Sequence, residues 1–267
     1  MLRFTKAHAY GNDFLYVEKS LVQDIALVPL ARAMCDRHTG IGADGLILYA
    51  PVADGASMTL LNADGSAAEV SGNGVRGLAA LLLRDHRNND DRADVTIVTA
   101  AGDKRLRRTD RQGSRQTFRA AMGAPSDVRQ VSMMAGGETL SVVLLGMGNP
   151  QCVVLGPLPD EERFRRLGPA LEHHSKFPEG TNVEFAMVES PERVRILIWE
   201  RGCGPTLSSG TGSCAAAVAA AAFGGASRDV EIVAPGGSQH VEWLADSVYL
   251  TGWAEVVCEG DWLAAGD

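Results

Sequence analysis

Two four-residue segments, Ser71-Gly72-Asn73-Gly74 and Ser209-Gly210-Thr211-Gly212, repeat one design far apart in the chain, and each leads into an Ala/Leu-rich stretch of helical character. A glycine-rich turn at a helix start aims several backbone N–H groups and the positive end of the helix dipole at one spot, which suits an anion such as a carboxylate. Two such turns could clamp one carboxylate from both sides, with the leading residues Ser71 and Ser209 facing the carbon that bears it from opposite faces. That pair suits removal of a proton from one face and its return to the other. Taken singly, each serine is an ordinary helix N-cap, and neither fits the G-x-S-x-G elbow of a nucleophilic serine. The repetition is what speaks for a shared task.

Asparagines add to this picture. Asn62, in Asn62-Ala63-Asp64-Gly65-Ser66, Asn149, in Gly148-Asn149-Pro150, and Asn182, after Glu179-Gly180-Thr181, each read singly as turn formers. Each also borders an apolar strand, so together they read as amides at a sheet rim lining a polar pocket. Glu200-Arg201-Gly202 follows the apolar run Val194–Trp199. Its plain reading is a charged strand end, yet Arg is the natural bidentate partner of a carboxylate, and a Glu beside a Gly-rich turn can serve as base or orienter. His173 and His174 are adjacent on a helical pattern and point apart, so no metal site is expected. No G-x-G-x-x-G follows a strand and no P-loop occurs, so no nucleotide cofactor is expected either.

The elements that must position these groups are mostly strands. Strand-like runs recur from Leu2–Lys6 to Ser247–Leu250, against four helical patterns at Pro29–Arg37, Gly74–Arg84, Glu161–His173 and Ser213–Phe223. One helix follows each Ser-Gly turn, which fits an α+β chain better than an alternating α/β one. Each half runs strands, Gly-rich turn, helix, strands, the layout of an internal duplication. The polar stretch Arg108–Gly113 reads as the linker, giving an N-terminal domain of residues 1–113, to which 258–267 return, and a C-terminal domain of residues 114–257.

The chain has 267 residues, enough for one large domain or two ordinary ones, and 25 Lys+Arg against 33 Asp+Glu give a net charge of −8. That balance argues against a nucleic-acid or anionic-membrane surface. The run Lys104-Arg105-Leu106-Arg107-Arg108 is the one basic cluster and reads as a solvated strand face. Five cysteines without a C-x-x-C pair speak for a reducing compartment, with the cytoplasm as the default. The opening Met1–Lys6 lacks the apolar core of a signal peptide, and the run Cys214–Phe223 is too short to span a bilayer.

Taken together, Gly11-Asn12-Asp13-Phe14, the segment Arg37 to Gly45, Asn62 to Ser66, Gly72-Asn73-Gly74-Val75-Arg76, Gly148-Asn149-Pro150, Asn182-Val183-Glu184-Phe185, Glu200-Arg201-Gly202 and Gly210-Thr211-Gly212 resemble the diaminopimelate epimerase family, in its order and over nearly the whole chain. The resemblance implies two pseudo-symmetric domains, each a curled, mainly antiparallel sheet or barrel around a central helix, with the active site between them. It also implies a cofactor-independent reaction, interconversion of L,L- and meso-diaminopimelate, and a homodimer. By motif position, Gly72, Asn73, Gly210 and Thr211 would offer backbone N–H groups to the carboxylate at the reacting carbon. Asn12, Asn62, Asn149, Asn182, Glu200 and Arg201 would hold the distal amino and carboxylate groups.

The departures fall where the chemistry should be. Members of the family carry a cysteine at each of the positions held here by Ser71 and Ser209, one thiolate to take the α-proton and one thiol to return it. The histidine usual two residues beyond the Gly-Asn-Pro asparagine is Gln151 here. A thiol titrates near pH ~8.5 and is readily lowered at a helix N-terminus, whereas a serine hydroxyl is a far weaker acid. Glu200 is then the retained candidate base, and Cys214, more than a turn inside its helix, cannot replace Ser209. The expected function is epimerisation of diaminopimelate. The alternatives are an isomerase, racemase or dehydratase of a related amino or hydroxy acid, and a catalytically impaired or Cys-to-Ser trapped amino-acid-binding form.

Overall fold

The computed structural model describes residues 1–68, 70–85 and 94–263. It divides into two compact units, Met1–Ala120 with Gly252–Asp267, and Ala121–Thr251; the last four residues of the returning C-terminal segment, 264–267, lie outside the described residues.

The first unit contains β1 (Leu2–Ala9), β2 (Asn12–Glu18), α1 (Leu27–Cys35), β3 (Gly45–Val52), β4 (Gly55–Asn62), β5 (Ala67–Ala68), α2 (Gly72–Leu82), β6 (Asp94–Thr99), β7 (Gly102–Gln112) and β8 (Arg115–Gly123). The second contains β9 (Ser126–Ala135), β10 (Glu138–Gly146), β11 (Pro150–Leu155), α3 (Glu161–Glu172), β12 (Asn182–Ser190), β13 (Arg193–Glu200), β14 (Gly204–Thr206), α4 (Gly210–Ala219), β15 (Asp229–Ala234), β16 (Gly237–Trp243) and the start of β17 (Val248–Trp262). The chain passes from the first unit to the second within β8 and back within β17. The polar stretch Arg108–Gly113 instead closes the β7–β8 hairpin, where Arg111 pairs with Gln116 and Gln112 with Arg115.

Each unit follows one plan. Hairpin connections give antiparallel pairs, and a helix intervenes wherever neighbouring strands are parallel, because a parallel pair needs a crossover. In the first unit α1 links the parallel strands β2 and β3, and α2 links β4 and β6. In the second, α3 links β11 and β12, and α4 links β13 and β15. The two-residue β5 and three-residue β14 stand before α2 and α4 in turn.

Strand periodicity sorts the core into layers on the two faces of each sheet. On β10, Val143 and Leu145 pack with α4, while Val142 and Leu144 pack with Phe164, Leu167 and Leu171 of α3. Helix α4 is apolar on every face from Cys214 to Ala219, as a helix enclosed by sheet must be. Its alanines let β10, β11, β12, β13, β15 and β16 approach it closely. A π-helical turn, Ala220–Gly224, then ends it, with Gly225 in the left-handed region at φ 77°. In the first unit α1 covers Leu15, Val17, Leu46 and Leu48.

Two expectations change here. The basic run is only half solvated: Leu106 and Arg108 point inward, and buried Arg108 donates to the Leu83 carbonyl (2.8 Å) and to Gln116 Oε1 (3.0 Å). Gln116 Nε2 donates to the Ala80 carbonyl (2.7 Å), so the pair caps the carbonyl end of α2 with charge of the favoured sign. Strands β5, β9 and β14 were absent from the sequence reading; β9 alternates exposed polar residues with few apolar ones, and the other two are too short to show a period.

Close approach of β2 to α2 depends on Gly77, where a Cβ would lie 2.0 Å from the Tyr16 hydroxyl oxygen. Alanine in a helix interior ordinarily stabilises by about 1 kcal/mol over glycine, so the sign of the effect is decisive. Gly77→Ala should destabilise by about 1–3 kcal/mol in equilibrium urea unfolding.

Candidate functional site

Both Ser-Gly segments fold as the sequence requires, each within its own unit. Ser71 is the N-cap of α2 in extended backbone (φ −125°, ψ 122°), and its Oγ accepts a hydrogen bond from Gly74 N at 3.1 Å. Ser209 caps α4 in the same way (φ −136°, ψ 130°), with Oγ accepting from Gly212 N at 3.1 Å. Each hydroxyl thus accepts from the backbone and keeps its own proton for a partner outside the helix. Such a contact, together with the positive helix end, favours negative charge on that oxygen. Gly72 and Asn73, and Gly210 and Thr211, occupy the first turn, where backbone N–H groups have no acceptor inside the helix.

Beneath each turn lies a buried support. In the first unit Tyr16 donates its hydroxyl to the Gly74 carbonyl at 2.9 Å. In the second, Ser213 Oγ donates to the Ser209 carbonyl at 2.7 Å, while Gln239 Nε2 donates to Ser208 Oγ (3.0 Å) and Ser213 Oγ (3.2 Å). Cys214 is fully buried in α4, past its first turn.

In the first unit the structure joins Asn12 to Asn73. Asn12 Oδ1 accepts from Asn73 Nδ2 at 3.1 Å, Asn12 Nδ2 donates to Asp44 Oδ2 at 2.7 Å, and Asn73 Oδ1 accepts from buried Arg76. Arg37 Nη2 bridges Asp44 Oδ1 and Asp13 Oδ1, both at 2.7 Å, and Lys6 Nζ lies 2.9 Å from Asp13 Oδ2. Burial alone would raise the Asp13 carboxyl, but hydrogen bonds from Arg37 and Lys6 bring it below the usual carboxylate range. Asn62 stands outside this network, with its Nδ2 donating to Ser66 Oγ at 3.0 Å in the turn after β4.

In the second unit the predicted residues converge further. The parallel register places Gln151 beside Asn182, and Asn182 Oδ1 accepts from Arg201 N at 3.0 Å. The Arg201 guanidinium, exposed, donates to the Glu179 carbonyl at 3.3 Å. Gln151, 1% exposed, donates from Nε2 to Asn149 Oδ1 at 2.6 Å. Against Gln151 sits Glu184, completely buried, with a carboxyl oxygen so close to the start of α4 that a Cβ on Gly212 would lie 2.5 Å from it and 3.1 Å from Ser209 Oγ. Burial first, then the charge of Glu200, push the Glu184 carboxyl well above its ordinary value. Burial, then Glu184, push up Cys152 next to it on β11.

Glu184 thus joins Glu200 as an acid of the second unit, set against the start of α4. Glu184 escaped notice because it sits in the strand-like run Asn182–Val188 as an alternating polar residue, the mark of a solvent face. Val183 and Phe185 do face α3, but the other face meets α4 instead of water.

A family model described as diaminopimelate epimerase matches residues 4–128 and 143–257. The diaminopimelate epimerase of Desulforudis audaxviator is 41% identical over 99% of this chain and 100% of that protein. That of Pelotomaculum thermopropionicum is 38% identical over 98% and 99%. A solved predicted epimerase from Pseudomonas aeruginosa superposes with a TM-score of 0.74 at 16% identity, covering 99% of this chain and all of that one, and so shares the fold.

The depressed Asp13 carboxyl stabilises the folded state fully above the ordinary carboxylate pKa, about 4, and this contribution is lost as pH falls through its lower folded value. Asp13→Asn should therefore cost about 2–3 kcal/mol at neutral pH. The gap from the unsubstituted protein should close steadily in denaturant titrations as pH is lowered below the ordinary carboxylate range.

Proposed function

The chain belongs to the diaminopimelate epimerase family, and from that membership we infer that it interconverts L,L- and meso-diaminopimelate by moving a proton at the α-carbon. The observation that carries this reading is the pair of Ser-capped helix starts, alike in backbone angles and in their 3.1 Å N–H···Oγ contacts. First-turn N–H groups of Gly72, Asn73, Gly210 and Thr211 receive the carboxylate at the reacting carbon and disperse the charge that develops there when the proton leaves. Asn12, Asn62, Asn149, Asn182, Glu200 and Arg201 select the distal amino and carboxylate groups, the feature that separates diaminopimelate from simpler amino acids.

Ser71 and Ser209 are the proton carriers in this reading, one taking the α-proton and the other supplying its replacement. A serine hydroxyl works poorly as a free alkoxide, because proton transfer is most efficient when the carrier's pKa lies near the working pH. Each serine accordingly acts as a relay, passing its own proton to a carboxylate as it takes one from carbon. In the second unit Glu200 is that carboxylate, beside the buried Glu184, whose carboxyl is held toward its neutral form by burial and by the Glu200 charge. The reading includes a reaction without pyridoxal phosphate or other cofactor, a cytoplasmic location and a homodimer.

The test is proton NMR of L,L- and meso-diaminopimelate in deuterated water with the pure protein. Loss of the α-proton signal together with isomer interconversion is expected; binding without exchange would overturn the assignment. In the same assay, the double change Ser71→Cys and Ser209→Cys should raise turnover by about 100-fold or more, and Ser71→Ala should abolish exchange.

A further inference from the structure

Gln151 and Glu184 meet in an arrangement that depends on where one proton resides. The Gln151 side-chain oxygen lies 3.0 Å from Glu184 Oε1 and 3.3 Å from Oε2, and Gln151 Nε2 donates to Asn149 Oδ1 at 2.6 Å. An ionised Glu184 would set acceptor against acceptor. A neutral Glu184 donates its O–H to the Gln151 carbonyl and leaves the 2.6 Å contact a true N–H···O bond. The opposite orientation of Gln151 gives N–H donors to an ionised Glu184, but it puts the amide oxygen 2.6 Å from Asn149 Oδ1, so Asn149 must turn over as well. In that orientation Asn182, whose Oδ1 is held by Arg201 N, donates from Nδ2 to the Gln151 oxygen at 3.3 Å, and Asn149 Nδ2 joins it once Asn149 has turned.

We propose that Glu184 is a positioning residue whose carboxylic proton, read through Gln151, fixes which end of the Asn149 amide is offered to substrate. With Glu184 neutral, Asn149 Oδ1 is engaged by Gln151 and its Nδ2 donors are offered outward, to an anionic group. With Glu184 ionised, both amides reverse and Asn149 offers an acceptor. Asn149 lines a hollow of about 450 Å³ in the second unit with Arg129, Lys176 and Phe177, and Asp127 is the acid there. The two cations favour a carboxylate as the group received, and so the neutral form of Glu184 as the binding form.

The surroundings of Glu184 hold the proton in place. From β13 the acid Glu200 faces it, from β11 Cys152 and Gln151, and from α4 Ser209 Oγ at the cap; Cys214 is the titratable group within α4. Among these groups none is a cation that would draw the proton off, and burial alone disfavours the carboxylate. Ionisation as pH rises therefore turns the relay and places an Asn149 oxygen against the ligand's carboxylate.

The inference rests on the proposed substrate only for its ligand. Calorimetric binding of diaminopimelate should weaken by about tenfold or more as pH rises through the Glu184 transition. In Glu184→Gln, whose amide donates to the Gln151 carbonyl at every pH, that component should vanish. An unchanged alkaline decline in the variant would overturn the proposal. Infrared difference spectra of the ligand-free protein against Glu184→Gln supply a test without substrate. A protonated-carboxyl C=O band at neutral pH that converts to carboxylate on raising pH is expected; a carboxylate band at neutral pH would overturn it. A protonated band in a protein that fails to bind diaminopimelate supports the Glu184 assignment and contradicts the functional reading alone.

Discussion

Each unit of this chain is built on a helix that begins at a Ser-capped, partly or wholly buried turn, and the first-turn N–H groups, which a helix cannot satisfy from within, are the constraint from which the rest follows. A helix leaves its first N–H groups without internal partners, and burial forbids water from serving all of them. Serine at the cap satisfies one donor in each unit, at Gly74 and at Gly212. In the proposed reading each helix start contributes to a carboxylate receptor, and the small residues around it let the helix lie close to its neighbours. Gly74 and Gly77 let Ile47 and Tyr16 close on α2, while the alanines of α4 admit strands on every side.

Electrostatic division of labour in the second unit follows from depth. Glu184 and Glu200 stand on neighbouring strands, one completely buried and the other half-buried. Two carboxylates so placed do not both ionise readily, and the deeper one yields. The result is a deep acid pushed toward its neutral form by burial and by the charge of its neighbour. In the first unit the same question is answered with cations: Lys6 and Arg37 surround Asp13, and its carboxyl stays charged although buried. In the proposed reading, with no thiol at either cap, the serines depend on a neighbouring carboxylate to take the proton.

Much of this was legible in the sequence because the signals were local. The caps, the helices behind them and most strands announce themselves by spacing, and the family resemblance extended to the fold. Long-range facts were not legible. Arg108 looks like one of four basic residues on a wet strand until α2 is found ending above it. Glu184 reads as a solvent-facing residue until α4 closes the other side of β12. The Arg108–Gly113 stretch has the composition of a linker, yet a hairpin turn has that composition as well, and only pairing across β7 and β8 tells them apart. A period of two records that a strand has two faces; it is silent on what covers each.

The most direct measurement is a backbone amide NMR titration of the protein with meso-diaminopimelate, following the first-turn N–H groups. If the two helix starts form the carboxylate receptor, the amides of Gly72, Asn73, Gly210 and Thr211 shift downfield together and report one Kd. Shifts confined to one helix start, or binding that leaves all four unmoved, would contradict the account.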